Sequence, residues 1–246
     1  MGVDSGLPDF RGPAGLWNAY PGLKAKGLRF EQIANPLQFE KNPYLAWGFY
    51  GHRLKLYRET TPNPAFAFLL KILQRIDGFV FTSNVDGQFQ KAGFSPNKII
   101  EIHGSIHHLQ CLRSCSSAIW SAEHLNPVID SQSSLWIGEL PKCPSCSGLA
   151  RPNILLFGDW DYIEPDLPCD LTQQLAKVRR ARFPVVVEIG AGESVPTVRR
   201  FSESLGIPLI RINPRDTHIP FGLDGVSLKM GAAEASMFLM DGIYAI

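Results

Sequence analysis

The sequence predicts an α/β fold, a mostly parallel sheet with helices on both faces, carrying a small insert folded around a metal ion. Three observations predict it. From residue 171 onward, apolar runs of strand length alternate with helical stretches, the pattern of strands joined by helical crossovers. Two earlier apolar runs, 79–81 and 99–102, deliver the polar groups Asn84, Asp86 and His103. Four of the five cysteines form two close pairs, Cys111/Cys115 and Cys143/Cys146, in a Ser-rich stretch of different composition.

The elements follow in order. Residues 1–17 form a Gly- and Pro-rich loop, and 28–42 read as short helical turns broken by Pro36 and Pro43. A broad apolar face predicts a helix over 43–59, and Pro62-Asn63-Pro64 introduces another over 65–76. The stretch 108–150 is the insert, with a strand signal only around 135–137. A buried strand is expected at 154–157, ending at Gly158-Asp159. Then come a helix at 172–182, whose basic run 177–182 is a solvated face, a buried strand at 185–189, a helix at 195–205, a strand at 209–212 and a closing helix at 231–243. The main domain is thus 1–107 with 151–246, and the helical part 24–60 packs beside the 108–150 module.

Composition sets outer bounds. At 246 residues and 45% hydrophobic content the chain can bury a sizeable core, and 19% charge is too low for disorder. Twenty-four basic against 23 acidic residues point to neither nucleic acid nor an anionic membrane surface as partner. No apolar run approaches the roughly 20 residues of a membrane span, and the N-terminus lacks a secretory pattern. A reducing, cytoplasmic setting is therefore expected.

In open α/β sheets ligands sit at the carboxyl ends of strands, which makes Asn84, Asp86 and His103 candidate site residues. Each also has a plain reading: a turn former, a helix cap for 87–92, and a hydrogen-bonded histidine. The cysteine pairs read as a tetrahedral zinc site, or as disulfides in an oxidising compartment; Cys169 reads as a packing residue. The turn Gly190-Ala191-Gly192 suits a phosphate at a helix N-terminus or close helix–strand packing, and Asn213 stands where a side chain can reach a ribose.

Taken together, SGLPDFRGPAGLW at 5–17, TSNVDGQFQKAG at 82–93, EIHGS at 101–105, the cysteine pairs, GLARPNILLFGD at 148–159, GAG at 190–192 and the Ile212-Asn213 step resemble the sirtuin family along nearly the whole chain. The resemblance implies a Rossmann-like domain with a zinc module and NAD-dependent removal of acyl groups from lysine. Nicotinamide is released and the acyl group ends on ADP-ribose. It makes NAD and one structural zinc ion the cofactors, with Cys111, Cys115, Cys143 and Cys146 as ligands, and acylated lysine peptides or proteins the partners. His103 becomes the general base, Asn84 orders ribose and water, and Asp86 holds the nicotinamide carboxamide. Asp9, Phe10 and Arg11 belong to the cofactor loop, while Ser83, Val85, Gly190, Ala191, Gly192, Asn213 and Ala233 complete the cofactor contacts. Phe157 and Gly158 receive the substrate peptide as an added strand. Tyr50 and Arg53 match the Tyr-x-x-Arg pair of sirtuins that accept succinyl- or malonyl-lysine.

The sequence also departs from that pattern. Ser83 replaces Gln, Asp159 replaces Glu, and Ala191-Gly192 replaces Thr-Ser. The family's strand and Gly-Ala-Gly turn before the opening loop have no counterpart, so reduced stability and aggregation are expected. ADP-ribosyl transfer, NAD hydrolysis and a catalytically silent NAD or acyl-peptide binding module stand as alternatives.

Overall fold

The computed structural model describes residues 1–8 and 27–244, so Asp9, Phe10 and Arg11 lie outside the described residues. Three helices begin with the same two letters, Asn-Pro. They are α2 (Pro36–Lys41), α3 (Pro43–Glu59) and α4 (Pro64–Leu73), and the short turn α1 (Phe30–Ile33) precedes them. In each, the Asn side chain accepts a backbone N–H of the first turn, and the Pro fixes a helical φ where no intrahelical donor is needed.

Helix α3 is the hub. Its residues Leu45, Trp47, Phe49, Tyr50 and Leu54 join Ile33, Phe39, Ile106, Leu109 and Ile154 in the larger core. Full burial of one such side chain contributes about 1.5–3 kcal/mol. Gly48 and Gly51 let the insert press directly on the helix, since a Cβ at Gly51 would sit 2.7 Å from the Trp136 ring. Trp47 Nε1 donates to the Ala150 carbonyl at 2.9 Å, and Arg58 donates to the carbonyls of Leu125 and Ala122.

Among the described residues the strands form three sheets. β1 (Val80–Thr82) pairs in parallel with β2 (Ile99–Glu101), with the short helix α5 (Gln88–Lys91) between them in sequence. β3 (Gly104–Cys111) is the centre of an antiparallel sheet with β4 (Ile119–Ser121) and β5 (Ala150–Ile154). After α6 (Leu171–Arg180), the strands β6 (Val186–Ile189), β7 (Leu209–Ile212) and β8 (Gly225–Leu228) form a second parallel sheet, with α7 (Thr197–Ser204) crossing between β6 and β7. Helix α8 (Ala232–Tyr244) closes the chain and packs on α4.

Several expectations are corrected. The strand expected at 154–157 is Ala150–Ile154, and Leu155 and Phe157 beyond it are exposed. The segment around 135–137 makes only an isolated bridge, Ile129 to Trp136, while the insert's strand is β4. The strand expected to be buried at 185–189 exposes Val185 and Val187 by 49% and 42%. The reason is that β6 has a neighbour on one side only: among the described residues no ladder joins it to β1. Between these two edges lies a cavity of about 610 Å³, lined from both strands and from Met1. The stacked rings of Phe81 and Phe201, 3.8 Å apart, bridge it in place of backbone bonds.

Candidate active site and metal centre

The parallel register of β1 and β2 pairs Thr82 with Glu101, so Asn84 and His103 each lie two residues past a paired position. They therefore emerge side by side at the carboxyl ends. The Thr82 hydroxyl accepts the Asn84 N–H at 3.0 Å, and the Asn84 side chain is exposed. Val85 is buried, and its carbonyl accepts the Ile106 N–H at 3.0 Å. Asp86 is buried as well. Its Oδ1 accepts the Gln88 N–H at 3.0 Å, as a capping carboxylate does, and its carbonyl lies 3.0 Å from His107 Nε2. Burial raises the Asp86 carboxyl above its ordinary range, opposed by the Gln88 N–H, Arg53, the Met1 amine and His107.

His103 is half-buried, and its carbonyl accepts the Leu155 N–H at 3.0 Å. Two residues on, the Phe157 N–H donates to Ala34 at 2.9 Å. The chain through Phe157 and Gly158 thus runs past His103, with the Phe157 ring edge-on to Phe30 at 6.0 Å. Asp159 is withdrawn from this surface. It forms a buried ion pair with Arg151 at 2.8 Å and accepts the Leu156 N–H, fastening the segment to β5.

On the other sheet, Gly190 adopts φ +67° and donates to the Ile212 carbonyl at 2.8 Å. Asn213 Nδ2 donates to the Ala191 carbonyl at 3.1 Å, and its Oδ1 accepts the N–H groups of Arg215 and Asp216. Asn213 therefore braces the Gly190–Gly192 turn. That turn does not open a helix, because α7 starts at Thr197. The phosphate-at-helix-terminus arrangement expected here is replaced by a loop held by Asn213 and Ile212. Ala233 lies in the first turn of α8, whose Ala232 N–H meets Asp4 Oδ2 at 3.3 Å. Ser83, half-buried, directly follows β1 and faces the cavity between the sheets.

Tyr50 and Arg53 stand one turn apart on α3, and both are buried. Tyr50 stacks on Phe39 at 5.5 Å, and burial raises its phenol against the pull of Arg53. Arg53 donates from Nε and Nη2 to Tyr57 Oη at 2.9 and 2.6 Å. Sequence reasoning missed Tyr57, although its i+4 spacing from Arg53 announces the contact. It also missed His107 and the buried pair Glu188–Arg211 at 2.6 Å, which ties β6 to β7.

The four thiols of Cys111, Cys115, Cys143 and Cys146 all lie within 4.8 Å of one another. Cys111 to Cys146 is 3.7 Å and Cys115 to Cys143 is 3.6 Å, far beyond a disulfide bond. A tetrahedral zinc ion with Zn–S bonds of about 2.3 Å requires sulfurs about 3.75 Å apart. The donor set therefore fits one zinc ion with every coordination position taken by protein, a structural site. Burial raises the Cys143 thiol, but N–H groups of Cys146 and Ser145 and neighbouring thiols outweigh it, bringing it down to about 6. Cys169 is buried and stands outside the cluster.

A parallel strand pair that carries Asn84 and His103 to its carboxyl ends, a second parallel sheet, and four thiols set for one zinc ion at the end of an antiparallel sheet define an α/β nucleotide-binding protein with a structural metal module. The Sir2 family profile matches residues 1–195, and the chain belongs to this family. It is 30% identical over 222 residues to an NAD-dependent protein deacylase of Aquifex aeolicus, covering 89% of this chain and 82% of that one. A protein of the same name from Leptospira interrogans is 31% identical over 229 residues, covering 91% and 82%. A solved Sir2 homologue in complex with NAD is similar at 29% identity and a TM-score of 0.70, covering 99% of this chain and 85% of that one.

Proposed function

We propose that this chain is an NAD-dependent protein-lysine deacylase that accepts succinyl- or malonyl-lysine as well as acetyl-lysine. One observation carries the reading: Asn84 and His103 follow the paired ends of β1 and β2, and the His103 carbonyl holds the Leu155 N–H of the segment leading to Gly158, so the groups proposed for the cofactor adjoin a main-chain surface for peptide. Bound NAD supplies a labile bond between nicotinamide and ribose. His103 would take the proton from a ribose hydroxyl as general base. Asn84 orders the ribose and a water, and Asp86 holds the carboxamide. Ser83 and the Gly190–Gly192 loop, braced by Asn213, line the cavity between the sheets, and Val85 and Ala233 would complete the cofactor contacts. Phe157 and Gly158 offer main-chain groups to an acylated peptide. Tyr50 and Arg53 meet a terminal carboxylate on the acyl chain.

The four cysteines hold a structural zinc ion in the 108–150 module, which suits a reducing, cytoplasmic setting. Residues 1–107 and 151–246 make up the Rossmann-like domain. That no ladder joins β1 to β6 among the described residues favours a second reading, a binding module for NAD or acyl-peptide without turnover.

Nicotinamide release from NAD separates these readings, measured with acetyl-lysine peptide, succinyl-lysine peptide and no peptide. Peptide-dependent release that His103→Tyr abolishes supports the deacylase. Release without peptide indicates NAD hydrolysis, and no release from zinc-loaded, folded protein indicates the binding module.

A further inference from the structure

Tyr50, Arg53 and Tyr57 occupy one face of α3 at i, i+3 and i+7, and their exposures are 1%, 7% and 4%. The Arg53 guanidinium carbon lies 5.3 Å from the ring centres of Phe49 and Tyr57 and 5.7 Å from that of Tyr50. Aromatic faces steady a cation but do not fix its rotation. Tyr57 does. One oxygen, Tyr57 Oη, accepts from both Nε and Nη2, which locks the guanidinium plane relative to the helix. The same residue reaches the cofactor side through its backbone, whose carbonyl accepts from Gln88 Nε2 at 3.0 Å. Gln88 in turn donates its N–H to Asp86. Tyr57 is thus the joint between the cationic group on α3 and the loop carrying Asn84 and Asp86.

We infer that Tyr57 is a positioning residue for acyl-group selectivity: its hydroxyl aims Arg53 at the carboxylate of a dicarboxylic acyl-lysine. This rests on the reading of Tyr50 and Arg53 given above. Charge alone does not secure selectivity, because a carboxylate recognised by a guanidinium needs the donor plane held in line with its oxygens. Removing the hydroxyl leaves the charge and the ring in place and takes away the hydrogen bonds from Nε and Nη2.

The test compares wild type, Tyr57→Phe and Arg53→Met on acetyl-lysine and succinyl-lysine peptides, with KM and kcat separated. Melting temperature and zinc content serve as checks on folding. Tyr57→Phe is expected to raise the succinyl-lysine KM by about tenfold, the scale of one hydrogen bond to a charged group, and to change the acetyl-lysine KM less than about twofold. In protein with isotope-labelled arginine, the Arg53 Nε–H should exchange slowly in wild type and fast in Tyr57→Phe. A preference for succinyl-lysine that survives Tyr57→Phe but not Arg53→Met overturns the role of Tyr57 and leaves the Arg53 reading standing. A preference indifferent to Arg53→Met, or no preference at all, overturns both. Should Tyr57→Phe fail to fold, fast exchange of the Arg53 Nε–H in wild type overturns the inference by itself.

Discussion

Gly104, next to His103, offers the sharpest test of how the site is held. Its φ is +71°, and a Cβ there would overlap the Asn153 carbonyl oxygen and approach Tyr162 Oη to 2.8 Å. Gly104→Ala meets two costs. The left-handed backbone costs an alanine about 1–2 kcal/mol. The overlap involves backbone on a paired strand, since Gly104 stands opposite Ile154 and Ser105 opposite Asn153, so β3 and β5 must part at this end. Giving up one or two ladder hydrogen bonds adds about 1 kcal/mol each. Together the loss is about 2–4 kcal/mol, which in a chain of this size lowers Tm by roughly 4–16 °C. Urea titration with an unchanged m-value, together with calorimetry, measures it. Peptide-dependent nicotinamide release should fall as well, because the His103 carbonyl shares the same strand end through Leu155. A Gly104→Ala protein within about 1 kcal/mol of wild type would refute the claim that this junction is sterically closed.

Two further tests address the metal and the proton. Cys143→Ser should abolish binding of one zinc equivalent and lower Tm by more than about 10 °C, as read by metal analysis and calorimetry, since structural zinc binding is folding free energy. Unchanged stability after metal loss would show that the insert folds without zinc. Glu101, at the end of β2, is raised to about 7 from an ordinary 4.5, chiefly by burial and against a hydrogen bond from Gln90. A carboxyl whose pKa is raised on folding binds its proton more tightly in the native state. Its contribution is therefore complete below pH 4.5 and lost as pH climbs through about 7. Glu101→Gln should flatten the stability profile over that window and raise stability at pH 8 by about 1–2 kcal/mol. A profile that keeps its slope would contradict this assignment.

The helices were legible because their signals are local: Asn35, Asn42 and Asn63 each precede a proline and cap the turn that follows. The strand ends were legible too, since β1 and β2 announce themselves by apolar letters and the parallel register carries Asn84 and His103 to one place. β3 was not. Its fully buried Gln110 accepts from Asn153 at 2.9 Å and donates to the Asp161 carbonyl at 2.7 Å, so a core strand wears polar letters. No periodicity argument finds a strand whose burial is satisfied by hydrogen bonds across the fold. β8 hid for the opposite reason: Gly225, Val226 and Ser227 are exposed at a sheet edge. The zinc cluster was visible from spacing, whereas Tyr57 becomes meaningful only once Arg53 is known to be buried.

The divided sheet makes the cleft a hinge in energetic terms. Groups proposed to contact the cofactor stand on both sides of the cavity between β1 and β6, with Ser83 and Asn84 on one side and the Gly190–Gly192 loop on the other. Since among the described residues side-chain contacts such as Phe81 on Phe201, and no backbone ladder, span that seam, each half can open without breaking strand pairs in the other. A ligand that grips both halves would then act as a rivet. Its affinity would be reduced by the work of closing the seam, and its binding would convert two loosely coupled unfolding transitions into a single cooperative one.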